Sequence, residues 1–73
     1  MINIYDYVNE ERKVKITFVD GTYAIGHIES IDDEEESGLG EDGLTLDEES
    51  GLWMGIGQSE IESITVIEQE EKR

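Results

Sequence analysis

Seven carboxylates crowd one stretch of this chain: Asp32, Asp33, Glu34, Glu35 and Glu36 in succession, then Glu41 and Asp42 after Ser37-Gly38-Leu39-Gly40. Oxygen-rich clusters attract hard cations, and the pattern to test is the calcium loop, which needs glycine at its sixth place and glutamate at its last. Counted from Asp32, those places hold Ser37 and Gly43, so loose condensation of cations is expected and a dedicated site is not. Paired carboxylates can also do acid–base chemistry, but one of them then needs a raised pKa in an enclosed cleft. A chain of 73 residues has little room for a cleft. His27 is the only histidine and cysteine is absent. That removes thiolate nucleophiles and Cys-based zinc or iron–sulfur sets, and no Ser-His-Asp arrangement is indicated. The expectation is therefore no enzyme, no cofactor and no metal site. Two readings of the acids remain: a solvated loop, or a surface that meets a partner.

Trp53 is the other residue with interaction chemistry. Leu52, Met54 and Ile56 share one parity, Trp53 and Gly55 the other. If the first set faces the core, Trp53 faces outward, where a tryptophan amid acids is a good anchor for a basic surface. The alternative packs Trp53 beneath an N-terminal helix with Tyr7 and Tyr23.

Charge decides which partners are plausible. The chain has 20 Asp and Glu against 5 Lys and Arg, a net charge of -15, and no Lys or Arg between Ile16 and Glu71. Nucleic-acid affinity comes from Lys and Arg displacing counterions, so no nucleic acid is expected. An anionic membrane surface is disfavoured on the same ground, and no apolar run approaches the roughly 20 residues of a membrane span. The first eight residues do not resemble a signal peptide. With no cysteine to stabilise in an oxidising compartment, the expected location is cytoplasmic. Self-repulsion and a thin core predict marginal stability that improves with salt.

The elements that must position these groups follow from periodicity. Asn3 can cap a short helix over about 4–12, with Asp6 at the third helical place and Ile4, Tyr7 and Val8 on one face. From Val14 the period is two: Val14, Ile16 and Phe18 alternate with Lys15 and Thr17. Asp20-Gly21 marks a tight turn into a long second strand from Thr22 to about Ile31. Ile28 and Ile31 in that strand are out of phase, so a bulge between them is required for both to face the core. Gly26 in mid-strand signals a bend or a close backbone approach. The acidic stretch 32–42 reads as a loop, followed by strands over 43–47, about 52–56 and 61–67. A one-turn connection at Gly57-Gln58-Ser59-Glu60 joins the last two, and a charged tail occupies 68–73.

A short helix followed by five strands describes a mainly β, five-stranded, strongly bent barrel in a single domain over 1–73, with the barrel at about 14–67. The alternative is an open sheet with the helix on one face. The segment Gly21-Thr-Tyr-Ala-Ile-Gly26-His-Ile28-Glu-Ser-Ile31-Asp32, with its glycines five apart and its apolar–Asp ending, resembles the first motif of the Sm-like branch of the SH3-like barrels. Ile56-Gly57-Gln58-Ser59-Glu60-Ile61-Glu62-Ser63-Ile64 is similar to the second motif, and the resemblance covers about residues 4–67. It implies a closed barrel. The positions that hold RNA in the family, a loop Asn and an Arg-Gly pair, fall on Glu36, Gly57 and Gln58, so the resemblance implies no working base pocket here. The bacterial Rho-binding antiterminators, acidic Sm-like proteins that bind the RNA-binding surface of a partner, are similar in architecture and in sign of charge.

The function expected from all this is an acidic protein-interaction module docking on a basic, even nucleic-acid-binding, surface of a partner protein. Its contact residues would be Asp32, Asp33, Glu34, Glu35, Glu36, Glu41, Asp42 and Trp53. The alternatives are a homo-oligomeric structural protein, disfavoured by charge at low salt, and a degenerate RNA binder.

Overall fold

The computed structural model describes residues 2–67; the tail expected at 68–73 lies outside the described residues. A 3-10 turn, Ile4–Tyr7, leads into β1 (Val14–Phe18) and β2 (Tyr23–Asp32). A single helical turn, α1 (Glu34–Ser37), then β3 (Gly43–Glu48), β4 (Trp53–Gly57), a second 3-10 turn (Gln58–Glu60) and β5 (Ile61–Val66) complete the chain. The strands form one antiparallel sheet in the order β4-β3-β2-β1-β5.

Asn3 caps the first turn, its side-chain oxygen accepting from the Tyr5 N–H at 3.1 Å. The helix expected over 4–12 ends at Tyr7. Its bonds run three residues back, from Asp6 N–H to Asn3 and from Val8 N–H to Tyr5. Three residues per turn line up i with i+3 and rotate i+4 away. Ile4 is accordingly buried and Tyr7 half-buried, while Val8 is exposed. Beyond the turn, Glu10 accepts from both the Arg12 backbone N–H and its guanidinium, a local arrangement that competes with helix.

The strands follow the expected parity closely. Gly21 takes φ +94° in the β1–β2 turn, and Asp20 accepts from Thr22 N–H at 2.9 Å and from its hydroxyl at 2.6 Å. These bonds, the Thr22 hydroxyl's first, hold the Asp20 carboxyl below its ordinary value. The predicted bulge is present: the β2–β3 register shifts between Ile28 and Ser30, so that Ile28 pairs with Leu46 and Ile31 with Leu44. The single extra residue is Glu29, which is exposed. Gly26 is the close approach its position suggested, since a Cβ there would fall on the Asp47 carbonyl oxygen.

Ile4, Val14, Ile16, Ala24, Leu44, Leu46, Ile56, Ile61 and Ile64 form the buried core, so both edges of the sheet contribute to one cluster. Leu52, expected inward with Met54 and Ile56, is 67% exposed because it lies in the β3–β4 turn ahead of the strand.

The closed, strongly bent barrel, and with it the Sm-like and SH3-like assignment, is overturned. The sheet is open: β4 and β5 are its two edges and no ladder joins them. A groove bounded by Phe18, Val19, Met54 and Ile56 runs beside the β4 edge. On the β5 edge, the Ile64 carbonyl accepts from the Tyr7 hydroxyl at 3.4 Å instead of from a strand. The open sheet with the N-terminal turn packed against it is the arrangement formed. Among the described residues no helix is long and apolar enough to cross a membrane.

Two glycines test the account of β2. Gly26→Ala forces the backbone apart and is expected to cost about 1–3 kcal/mol, whereas Gly55→Ala adds a methyl to open space and should stay within about 0.5 kcal/mol of the parent. Urea unfolding of both variants measures this, and equal losses would contradict it.

Candidate functional site

The acidic stretch, expected as a loop, contains a capped helical turn. Asp33 caps α1, accepting from Glu36 N–H at 2.9 Å, and Gly38 closes it in the left-handed region at φ +73°. The Ser37 hydroxyl donates to the Glu41 carbonyl at 2.6 Å and accepts from Leu39 N–H at 3.0 Å, tying the return path to the turn. One helical turn was not expected here because acids in a row carry no apolar period. The signal available was Asp33 three residues ahead of Glu36, a side-chain cap.

Inside this structure the seven acids divide by role. Glu41 reaches the turn between β4 and β5, where its carboxylate accepts from Ser59 N–H at 2.9 Å and the Ser59 hydroxyl at 2.7 Å. It fills the space beside Gly57, where a Cβ would strike it. Gly57 itself offers that 3-10 turn no side-chain cap, so Glu41 supplies one from a distance. Asp32 accepts from Ser30 at 3.3 Å. Asp42 lies near the Tyr5 hydroxyl: partial desolvation, then the nearby carboxylates with Asp42 foremost, push the Tyr5 phenol above its ordinary value of 10.0. Tyr5 is the member of this cluster that the sequence did not reveal, since it lies nearly forty positions away. Glu34, Glu35 and Glu36 remain exposed, with side chains hydrogen-bonded to nothing among the described residues.

Two of the three positions aligned with a base pocket, Gly57 and Gln58, are also absorbed internally, while Glu36 stays exposed. Gln58 accepts through its side chain from Ile4 N–H at 3.2 Å, and its own N–H donates to Asp42 at 2.9 Å. Among the described residues no three carboxylate or imidazole groups come together in a way that could hold a metal ion.

Trp53 lies elsewhere. It pairs with Asp47, whereas Gly43, four residues along β3, pairs with Asp32, which puts roughly 13 Å of strand between Trp53 and the acidic end. It is 62% exposed, and so not packed with Tyr7 and Tyr23. Across the sheet it continues a row through Asp47 to His27. The predicted contact set is thus split into two places. Two cations lie on the Trp53 side of the sheet: Lys13 is 3.6 Å from Glu49 and Lys15 sits 4.6 Å over the Tyr23 ring, on the face that carries His27. From the Val14–Gly26 row to Asp32 there are six residues of β2, roughly 20 Å of strand. At a Debye length of about 8 Å those cations do little to offset the acidic end.

Comparison of the chain with protein families, with curated proteins and with solved structures finds no match in any of the three.

The division of labour among the acids predicts unequal substitutions. Glu41→Ala removes a cap and should cost about 0.5–2 kcal/mol, the range for N-terminal caps. Glu35→Ala removes only a solvated charge and should change stability by less than about 0.5 kcal/mol. Thermal unfolding of the two variants side by side is the measurement, and a Glu41→Ala protein as stable as the parent would contradict the capping role.

Proposed function

We propose that this chain is an acidic protein-interaction module that docks on a basic surface of a partner protein, including one that otherwise holds nucleic acid. The observation that carries this reading is the presentation of Glu34, Glu35 and Glu36. Their side chains are exposed and unpaired among the described residues, on a turn whose backbone is held by Asp33, Ser37 and Gly38. A preordered row of carboxylates meets a cationic surface without first paying loop-ordering entropy. Complementary charge would also speed encounter. Asp32, Asp33 and Asp42 add negative potential behind the row, while Glu41 serves the fold. A cytoplasmic setting belongs to the same proposal, supported by a composition with no cysteine. Nucleic acid and anionic membrane are poor partners for a net charge of -15.

Self-association is the second reading, favoured by the two unpaired sheet edges. Charge opposes it at low salt, and Tyr7 already occupies the Ile64 carbonyl of the β5 edge.

Pull-down from a lysate with the parent and with a Glu34→Gln/Glu35→Gln/Glu36→Gln variant tests the proposal. A basic protein should be held by the parent in low salt, released at moderate salt, and held several-fold less by the variant. Retention unaffected by the triple substitution would refute it.

A further inference from the structure

The open side of the sheet has its own binding chemistry. Along β3 and β4, Glu48 N–H donates to Leu52 at 2.8 Å and Gln58 N–H donates to Asp42 at 2.9 Å. Hydrogen-bonded pairs alternate in an antiparallel ladder, so Met54 and Ile56 bond toward β3, while the N–H and C=O groups of Trp53 and Gly55 point away from the sheet. Both residues are exposed, and beside Gly55 even a Cβ would meet nothing within 4 Å. Next to this edge lies a groove of about 240 Å³ between Met54, Gly55 and Ile56 on one side and Phe18, Val19 and Asp20 on the other, with Glu60 on its wall. That is smaller than the roughly 300–1,000 Å³ of small-molecule sites, and its size suits a side chain carried on a peptide.

We propose that this seam takes an extended segment of a basic protein, added antiparallel along β4 as a sixth strand, with cationic and apolar residues alternating. The backbone groups of Trp53 and Gly55 supply the hydrogen bonds of strand addition. Directly paired residues point to the same face. Those paired with Trp53 and Gly55 therefore lie against the indole, whose ring face attracts Lys or Arg. The residues between them enter the groove against Phe18, Val19, Met54 and Ile56. Asp20 and Glu60 are the two charged residues lining the groove, both acidic, which complements a basic segment and disfavours an acidic one. A second copy of this chain is a poor occupant, because it brings a charge of -15 and its β5 edge is engaged by Tyr7. The preference for cations rests on the same charge argument as the proposed function; the position of the seam does not.

The test uses a nine-residue alternating Lys/Val peptide in two N-methylated forms, titrated into isotopically labelled protein at physiological salt. In the proposed geometry the lysines pair with Trp53 and Gly55, so methylating the lysine nitrogens removes the donors that face β4. That form should bind at least tenfold more weakly than the parent peptide, and the form methylated at valine should bind like it. The Trp53 and Gly55 amides should become protected from exchange. Equal weakening by both modifications, or shifts confined to Glu34–Glu36, would assign the peptide to the acidic turn by charge alone; that overturns the seam and leaves the proposed function standing. Protection of Trp53 and Gly55 in a dimer of the protein alone would give the seam to a second copy and overturn it as well.

Discussion

The sheet depends on one strand lying against another with no side chain between them. At Gly26 the backbone of β2 meets the Asp47–Glu48 backbone of β3 so closely that a single Cβ cannot be admitted. Gly26 is also where β2 belongs to both neighbours, pairing with Val14 of β1 and Glu48 of β3. From there the strand runs on alone beside β3, and the extra residue Glu29 re-phases it so that Ile28 and Ile31 both reach the core. Without that change of phase the far half of β2 would turn its apolar residues outward, and the end that carries α1 would lose its footing.

Charge then determines how this small core is used. Among the described residues the buried core is wholly apolar and no polar or charged side chain is buried, so the acids of the sheet and its turns are kept where water solvates them. Several are also structural. Asp33 and Glu41 cap turns, and Asp20 and Glu48 receive hydrogen bonds from Thr22 and Ser50. For Asp20 and Glu48 these bonds lower the carboxyl pKa, and a lowered pKa contributes stability above the unfolded value that is lost as pH falls through the folded one. The acidity is thus partly wired into the turns, and Glu34, Glu35 and Glu36, left over within the acidic stretch, form the surface proposed for a partner.

Much of this was legible in the sequence because local chemistry dictates it. Asn3 capping the first turn, the Asp20-Gly21 turn, the out-of-phase Ile28 and Ile31, the close approach at Gly26 and the one-turn link after Gly57 all follow from neighbours a few residues apart. The misreadings share a different cause. The helix over 4–12 shrank to one 3-10 turn because nothing in a nine-residue pattern distinguishes three from 3.6 residues per turn once Val8 has no surface to cover. Closure of the barrel depends on whether β4 meets β5, which alternation within each strand does not encode. Glu41 capping Ser59, the approach of Tyr5 to Asp42 and the separation of Trp53 from the acids depend on long-range packing, and no short motif announces them. The resemblance to Sm-like barrels rested on glycine and apolar spacing, a pattern that an open antiparallel sheet satisfies equally well.

The central claim is that the sheet is open at β4, and amide hydrogen exchange on the free protein tests it most directly. Exchange from a bare edge strand alternates, because only every second amide is bonded. The Met54 and Ile56 amides should exchange slowly with the core, and the Trp53 and Gly55 amides near the rate of an unprotected chain. Slow exchange at all four positions in a monomer would mean that a further strand covers the edge, and would contradict the open sheet on which the account rests.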